Sequence, residues 1–205
     1  MSSSFNCHLY WAFACRQCGP QWLQQVEAVI DAGVTMIQLR QKHSTDREIY
    51  EYGRQLHALT RRLQVPLIVN DRLDLMLALN AEGVHLGTND LPLAQVRALA
   101  PDRIIGYSAN TPARLREAEV CGADYVGIGP VFATSSKSDT GPVLGISGLQ
   151  SLLAHANLPA VAIGGITIAT AAAVRQSGVA GICVISAISA ATDAVAATRA
   201  LASCP

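Results

Sequence analysis

The chain has 205 residues, 50% of them hydrophobic and 15% charged, against about 25% charged in an average globular protein. That composition excludes a disordered chain and calls for a large buried fraction or a substantial subunit contact. Fifteen basic residues balance fifteen acidic ones, which excludes a net basic footprint for nucleic acid but not a local cationic pocket.

The opening Met1-Ser2-Ser3-Ser4-Phe5-Asn6 lacks the basic-then-apolar pattern of a leader. Residues 144–174 contain no Asp, Glu, Lys or Arg, but polar residues, Pro159 and Gly164-Gly165 interrupt them short of the ~20 apolar residues of a membrane span. A soluble, cytoplasmic protein with no membrane partner is expected, and the high apolar content leaves room for a homodimer. Six cysteines at irregular spacings are expected to be free thiols. Cys15 and Cys18 form a lone C-x-x-C without a second ligand pair, a weak metal or redox signal.

Apolar runs of strand length fall at Leu9–Ala14, Met36–Arg40, Leu67–Val69, Gly83–Leu86, Ile104–Tyr107, Tyr125–Ile128, Ala160–Ile163 and Gly181–Ile185. Helical patterns fill the intervals: Gln21–Ala32, stopped by Gly33; Thr45–Leu63, closed by Pro66; then Leu73–Leu79, Leu93–Leu99, Pro112–Cys121, Gly148–Ala154, Ile168–Gln176 and Asp193–Leu201. Pro92 and Pro112 suit first turns, where a missing N–H loses no partner. Eight strands, each followed by a helix, point to an α/β protein, a (β/α)8 TIM barrel. A doubly wound open sheet is the rival, because alternation alone does not close strand eight onto strand one. No linker divides the chain, so one compact domain over residues 1–205 is expected.

In such a barrel, reactive groups belong at the C-terminal strand ends and in the loops that follow. Strand two ends Gln38-Leu39-Arg40-Gln41-Lys42, and a two-residue period puts Gln38, Arg40 and Lys42 on one side. At the barrel mouth they would suit a phosphate or diphosphate; an ordinary solvated strand end would look the same. Strand three runs into Asn70-Asp71 and strand four into a loop ending at Asp90, one βα unit later. Two carboxylates on one face beside a cationic pocket fit Mg²⁺, which takes its other ligands from water and substrate phosphate. Each Asp could equally cap the helix that follows. His85 reads more readily as a packed or hydrogen-bonded histidine than as a ligand. Strand five ends at Ser108. The loop after strand six carries Thr134, Ser136, Lys137 and Gly141, a composition shared by loops over anionic ligands and ordinary surface loops. Strand seven meets Gly164-Gly165, and strand eight meets Ser186, where a helix N-terminus could hold a phosphate.

The blocks Gln38–Lys42, Asn70-Asp71-Arg72, Gly83–Gly87 with Asp90-Leu91-Pro92, Gly127–Phe132 with Thr134, Ser136 and Lys137, Ala162–Ile166 and Ile185–Ile188 together resemble the thiamine-phosphate synthase family, from about Gly33 to Ala190. The resemblance implies a Mg²⁺-using transferase on a (β/α)8 barrel. It would join 4-amino-5-hydroxymethyl-2-methylpyrimidine diphosphate to 4-methyl-5-(2-phosphoethyl)thiazole, or its carboxylate form, giving thiamine phosphate and pyrophosphate. By position, Gln38, Arg40, Lys42, Asn70, Ser108 and Lys137 would hold the pyrimidine diphosphate, with Arg40 and Lys137 catalytic. Asp71 and Asp90 would bind Mg²⁺, and Thr134, Ser136, Gly165, Ile185 and Ser186 the thiazole phosphate. Two departures stand out. The family's first strand usually ends in a Thr-Asp-like turn, replaced here by Cys15-Arg16-Gln17-Cys18, and its Pro-Thr-x-Thr-Lys loop is Ala133-Thr134-Ser135-Ser136-Lys137. Serine at 136 keeps the hydroxyl and loses the methyl. A thiazole tautomerase on the same barrel and a non-catalytic barrel binding a phosphorylated metabolite are the alternatives. Pro130 cannot serve the first as a proton shuttle, and the second has no use for both carboxylates.

Overall fold

A computed structural model describes residues 5–14, 19–41, 44–134 and 141–204. Eight parallel strands close into a barrel in chain order: β1 (Leu9–Phe13), β2 (Met36–Leu39), β3 (Leu67–Asn70), β4 (Gly83–Leu86), β5 (Ile104–Ser108), β6 (Tyr125–Ile128), β7 (Ala160–Ile163) and β8 (Gly181–Val184). Closure rests on β8 pairing with β1, with Leu9 opposite Ile182, Tyr10 opposite Cys183 and Trp11 opposite Val184. That pairing removes the open-sheet rival.

The helices between the strands are α1 (Trp22–Asp31), α2 (Asp46–Arg62), α3 (Leu73–Leu79), α4 (Leu93–Leu99), α5 (Pro112–Val120), α6 (Gly145–Leu153) and α7 (Ile168–Arg175). A one-turn α8 (Ser186–Ser189) precedes α9 (Ala194–Ala202). Their ends follow local chemistry. Thr45 caps α2 by accepting from Glu48 N at 3.3 Å, while Glu48 accepts from Thr45 N at 2.8 Å. This reciprocal box satisfies two donors that the helix cannot. Pro112 opens α5 behind the Thr111 cap, and Asp193 caps α9 by accepting from Ala196 N at 2.9 Å. Gly33, at φ +126°, turns the chain out of α1. Two expectations shift: α6 begins at Gly145 rather than Gly148, and α8 is an added element.

Alternation along the strands sorts side chains into two cores. Outward-facing Leu9, Trp11, Ile37, Leu39, Val84 and Ile128 pack with the helices. Inward-facing Tyr10, Met36, Ile68, Ile104, Tyr125, Val161 and Cys183 fill the lumen, and Phe5 and Cys7 join them from the segment before β1. Polar inward positions, such as Gln38, His85 and Ser108, come late in their strands, so the lumen turns from apolar to polar toward the strand C-termini. Among the described residues no helix is long and apolar enough to cross a membrane. Cys7, Cys121, Cys183 and Cys204 are free thiols; Cys15 and Cys18 lie outside the described residues.

Candidate active site

The polar end of the lumen opens into a cavity of about 380 Å³, within the range of small-molecule sites. Gln38 and Arg40 enter from β2, Asn70 and Asp71 from β3, and His85, Thr88, Asn89 and Asp90 from β4 and its loop. Ser108, Asn110 and Arg114 come from β5 and α5, Thr134 and Gly141 from the β6 loop, and Gly164, Gly165 and Ile185 from the last two strand ends. Val161, Ile163, Ile166 and Val184 supply an apolar wall.

Most of the sequence-expected residues therefore meet at one mouth. Gln38, Arg40, Asn70, Asp71, Asp90, Ser108, Thr134, Gly165 and Ile185 all line the cavity. Ser186, the first residue of α8, borders an adjoining hollow with Ala12, Ser189 and Ala190, and Arg40 and Ile185 line both spaces. Lys42, Ser136 and Lys137 lie outside the described residues.

The two carboxylates sit in different local surroundings. Asp71 sits at φ +64°, an unusual backbone for a non-glycine residue, and its N–H donates to His85 O at 2.9 Å. That bond ties the β3 end to β4. Arg72 occupies the N-cap position of α3 and Pro92 that of α4, so neither Asp stands at an N-cap position. Asp90 Oδ2 instead accepts from Gly87 N at 2.6 Å, bracing its own loop. Among the described residues no group of three or more His, Cys, Asp or Glu could cage a metal. Two oxygen donors in neighbouring loops suit Mg²⁺, which rarely uses an all-protein cage and binds through one or two carboxylates plus phosphate and water.

The cations divide. Arg72 turns away from the cavity and bridges Asp46 (2.7 and 2.9 Å) and Asp74 (2.8 and 2.6 Å) at the starts of α2 and α3. Its hydrogen bonds hold both carboxyls below their ordinary range. Arg40 faces the cavity from the end of β2, its N–H donating to Phe13 O at 2.8 Å. Gly164 and Gly165, at φ +99° and +64°, pass so close to the β6 loop that a Cβ on Gly165 would lie 2.5 Å from Ala133 O. The tight turn lets the β6 and β7 loops share one wall.

The family model described as "Thiamine monophosphate synthase" matches residues 9–188. The chain belongs to the thiamine-phosphate synthase family. The thiamine-phosphate synthase of Chloroflexus aurantiacus is 46% identical over 176 residues, covering 86% of this chain and 82% of the relative. That of Natronomonas pharaonis is 46% identical over 206 residues, covering 98% and 95%. The solved thiamine phosphate pyrophosphorylase of Pyrococcus furiosus superposes with a TM-score of 0.85 at 40% identity, over 95% of this chain and 93% of that one. A 3-hexulose-6-phosphate synthase at 17% identity and a TM-score of 0.72 shares the fold alone. The family match begins at Leu9, so it takes in the first strand, where the sequence-level resemblance had not reached.

Within this thiamine-phosphate synthase fold, several cavity residues escaped sequence reasoning. Tyr10 and Tyr125 occupy inward strand positions that read as core, whereas His85 is hydrogen-bonded, as expected of it, with its ring nitrogens 3.0 Å from Tyr125 Oη and Ser108 Oγ. Arg114 lies in the first turn of α5 and donates from Nη1 to Asn110 Oδ1 at 3.2 Å. A signal existed for it: a cation is disfavoured at a helix N-terminus by the backbone dipole, so an arginine there, on the loop side of a barrel, calls for another reason.

Proposed function

We propose that the cavity is the synthase site and that the sequence-assigned residues act there as the family's do. The observation that carries the reading is the meeting, at one mouth, of Arg40 with the paired carboxylates of Asp71 and Asp90. The substrates are 4-amino-5-hydroxymethyl-2-methylpyrimidine diphosphate and the phosphoethyl thiazole or its carboxylate form; the products are thiamine phosphate and pyrophosphate, with CO₂ also released and a proton taken up at the ring carbon when the carboxylate form is used. One barrel domain over residues 1–205 does this work, on cytoplasmic metabolites.

Diphosphate leaves well once its charge is balanced. The C–O bond breaks with both electrons passing to the diphosphate oxygen, and the aminopyrimidine ring stabilises the cation at its exocyclic CH₂. The thiazole nitrogen lone pair then forms the C–N bond. No activated protein nucleophile is needed, so the protein's tasks are positioning and charge stabilisation. Arg40 offers a planar fork to diphosphate oxygens; Gln38, Asn70 and Ser108 add neutral polar contacts, and Lys42 and Lys137 complete the cationic set. Thr134, Ser136, Gly165, Ile185 and Ser186 take the thiazole phosphate. The apolar wall of Val161, Ile163 and Ile166 keeps water from capturing the cation before the thiazole does. Asp71 and Asp90 would hold Mg²⁺, which supplies positive charge against the leaving diphosphate when bound.

The test is to mix purified protein with both substrates and Mg²⁺ and follow thiamine phosphate. Its formation is the expected result. Isomerisation of the thiazole carboxylate without coupling would move the reading to a tautomerase, and binding without either reaction to a metabolite-binding barrel.

A further inference from the structure

Five polar side chains from five strands form one hydrogen-bonded chain across the lumen at the floor of the cavity. Gln38 Nε2 donates to Tyr10 Oη at 2.7 Å, and Tyr10 Oη lies 3.0 Å from Tyr125 Oη. Tyr125 Oη lies 3.0 Å from His85 Nδ1, and His85 Nε2 lies 3.0 Å from Ser108 Oγ. Tyr10, Tyr125 and Gln38 are 1%, 0% and 5% exposed, so water does not compete for the middle of the chain. Glycine makes the room. A Cβ on Gly106 would collide with the Tyr125 ring and hydroxyl and with His85 Nδ1, and one on Gly127 would lie 3.1 Å from His85 Cε1.

The bonds have a direction. An amide nitrogen only donates, so Tyr10 accepts from Gln38. Among the described residues Tyr10 Oη has no third hydrogen-bond partner, so its single proton goes to Tyr125, and that of Tyr125 goes to His85 Nδ1. A neutral imidazole that accepts at Nδ1 carries its proton on Nε2, which then donates to Ser108 Oγ. Ser108, having accepted from the histidine, keeps its own proton for a partner in the cavity that it lines.

We infer that Tyr10, Tyr125 and His85 are positioning residues: with Gln38 setting the direction, they lock His85 as the Nε2–H tautomer and hold the Ser108 hydroxyl as a donor aimed at a ligand oxygen. The inference rests on the synthase reading for the identity of that oxygen, a diphosphate oxygen that gains charge as the C–O bond breaks. A hydroxyl in water turns either way, whereas this one is already aimed and needs no reorganisation as the charge grows. Burial drives both phenol pKa values up, which keeps the two links protonated.

The tautomer is read in the substrate-free protein by two-bond ¹H–¹⁵N correlation of the histidine rings, with His85→Gln to assign the signal. The expected spectrum is a neutral ring protonated on Nε2; a ring protonated on Nδ1 overturns the inference. Kinetically, Tyr125→Phe and Tyr10→Phe should each lower kcat for thiamine phosphate about tenfold or more, the scale of one hydrogen bond to a charged group. The KM for the thiazole phosphate should not change. In a Ser108→Ala background neither substitution should have a further effect. Losses that multiply instead would show that the tyrosines act through packing, and would overturn the inference. If Tyr125→Phe does not fold, the wild-type tautomer and Tyr10→Phe still decide. The expected tautomer in a protein that makes no thiamine phosphate would support the polarised chain and overturn the synthase reading.

Discussion

Asp90 separates bracing from charge at a single atom. Its Oδ2 accepts from Gly87 N, a bond that Asn can make equally well, so Asp90→Asn keeps the loop and removes only the charge. The variant should fold normally, lose most of its turnover and regain part of it at high Mg²⁺, measured as product formed across a Mg²⁺ titration. Full activity at low Mg²⁺ would remove Asp90 from the proposed metal pair. Tyr10 and Tyr125 make a second prediction at this scale, one of pH. Burial raises both phenols above the ordinary value of about 10, so the native state keeps protons that the unfolded chain gives up. Their contribution to stability is fully present below the unfolded pKa and is lost as pH rises above it. An alkaline titration at 295 nm should show part of the tyrosine ionisation arriving only with the loss of far-UV helical signal. Complete ionisation with the helices intact would contradict it.

The loops at the other end of the barrel carry stability rather than chemistry. Arg97 of α4 donates to Asp124 Oδ2 at 2.6 Å, to Gly122 O at 2.8 Å and to Pro101 O and Arg103 O at 2.9 Å. Asp124 Oδ2 also accepts from Ile105 N at 2.7 Å. One guanidinium thus fastens the entries to β5 and β6. Arg97→Ala strands these acceptors and should cost about 2–4 kcal/mol in urea unfolding, with kcat/KM of the remaining folded enzyme unchanged; a loss of activity without a loss of stability would refute this division of ends. The strands were legible in the sequence because runs of four or five apolar residues recur between helix-period segments. Closure was not, because it depends on β8 registering against β1, a contact across the whole chain. Helix α8 was hidden because one turn carries no period, and the start of α6 because Gly145 is a poor helix former. The site divides in the same way. Arg40, Asn70, Asp71 and Asp90 stand at strand ends, where polarity is conspicuous. Tyr10 and Tyr125 sit deeper, on inward positions that any core would fill with an aromatic ring, and only the hydroxyls crossing the lumen reveal them.

For the whole molecule, drawing the cavity lining from loops on different sides of the closed barrel couples ligand binding to global stability. Arg40 follows β2, Asp71 follows β3, Asp90 follows β4 and Gly165 follows β7, so a ligand spanning them binds the closed barrel and not the unfolded chain. Such a ligand stabilises the fold by about 2.7 kcal/mol at a hundredfold excess over its Kd, which for a chain of this size raises Tm by roughly 5–10 °C. If Asp71 and Asp90 share Mg²⁺ with the diphosphate, each should strengthen the binding of the other by the same factor, because linkage is reciprocal. Thermal unfolding with pyrophosphate alone, Mg²⁺ alone and both together measures this. The combined shift should exceed the sum of the separate ones, and Asp90→Asn should reduce it toward that sum while leaving the unliganded Tm in place. A pyrophosphate shift of the same size in excess chelator would show that Arg40 and its neighbours bind the anion without the metal, and that the two carboxylates serve the loops alone.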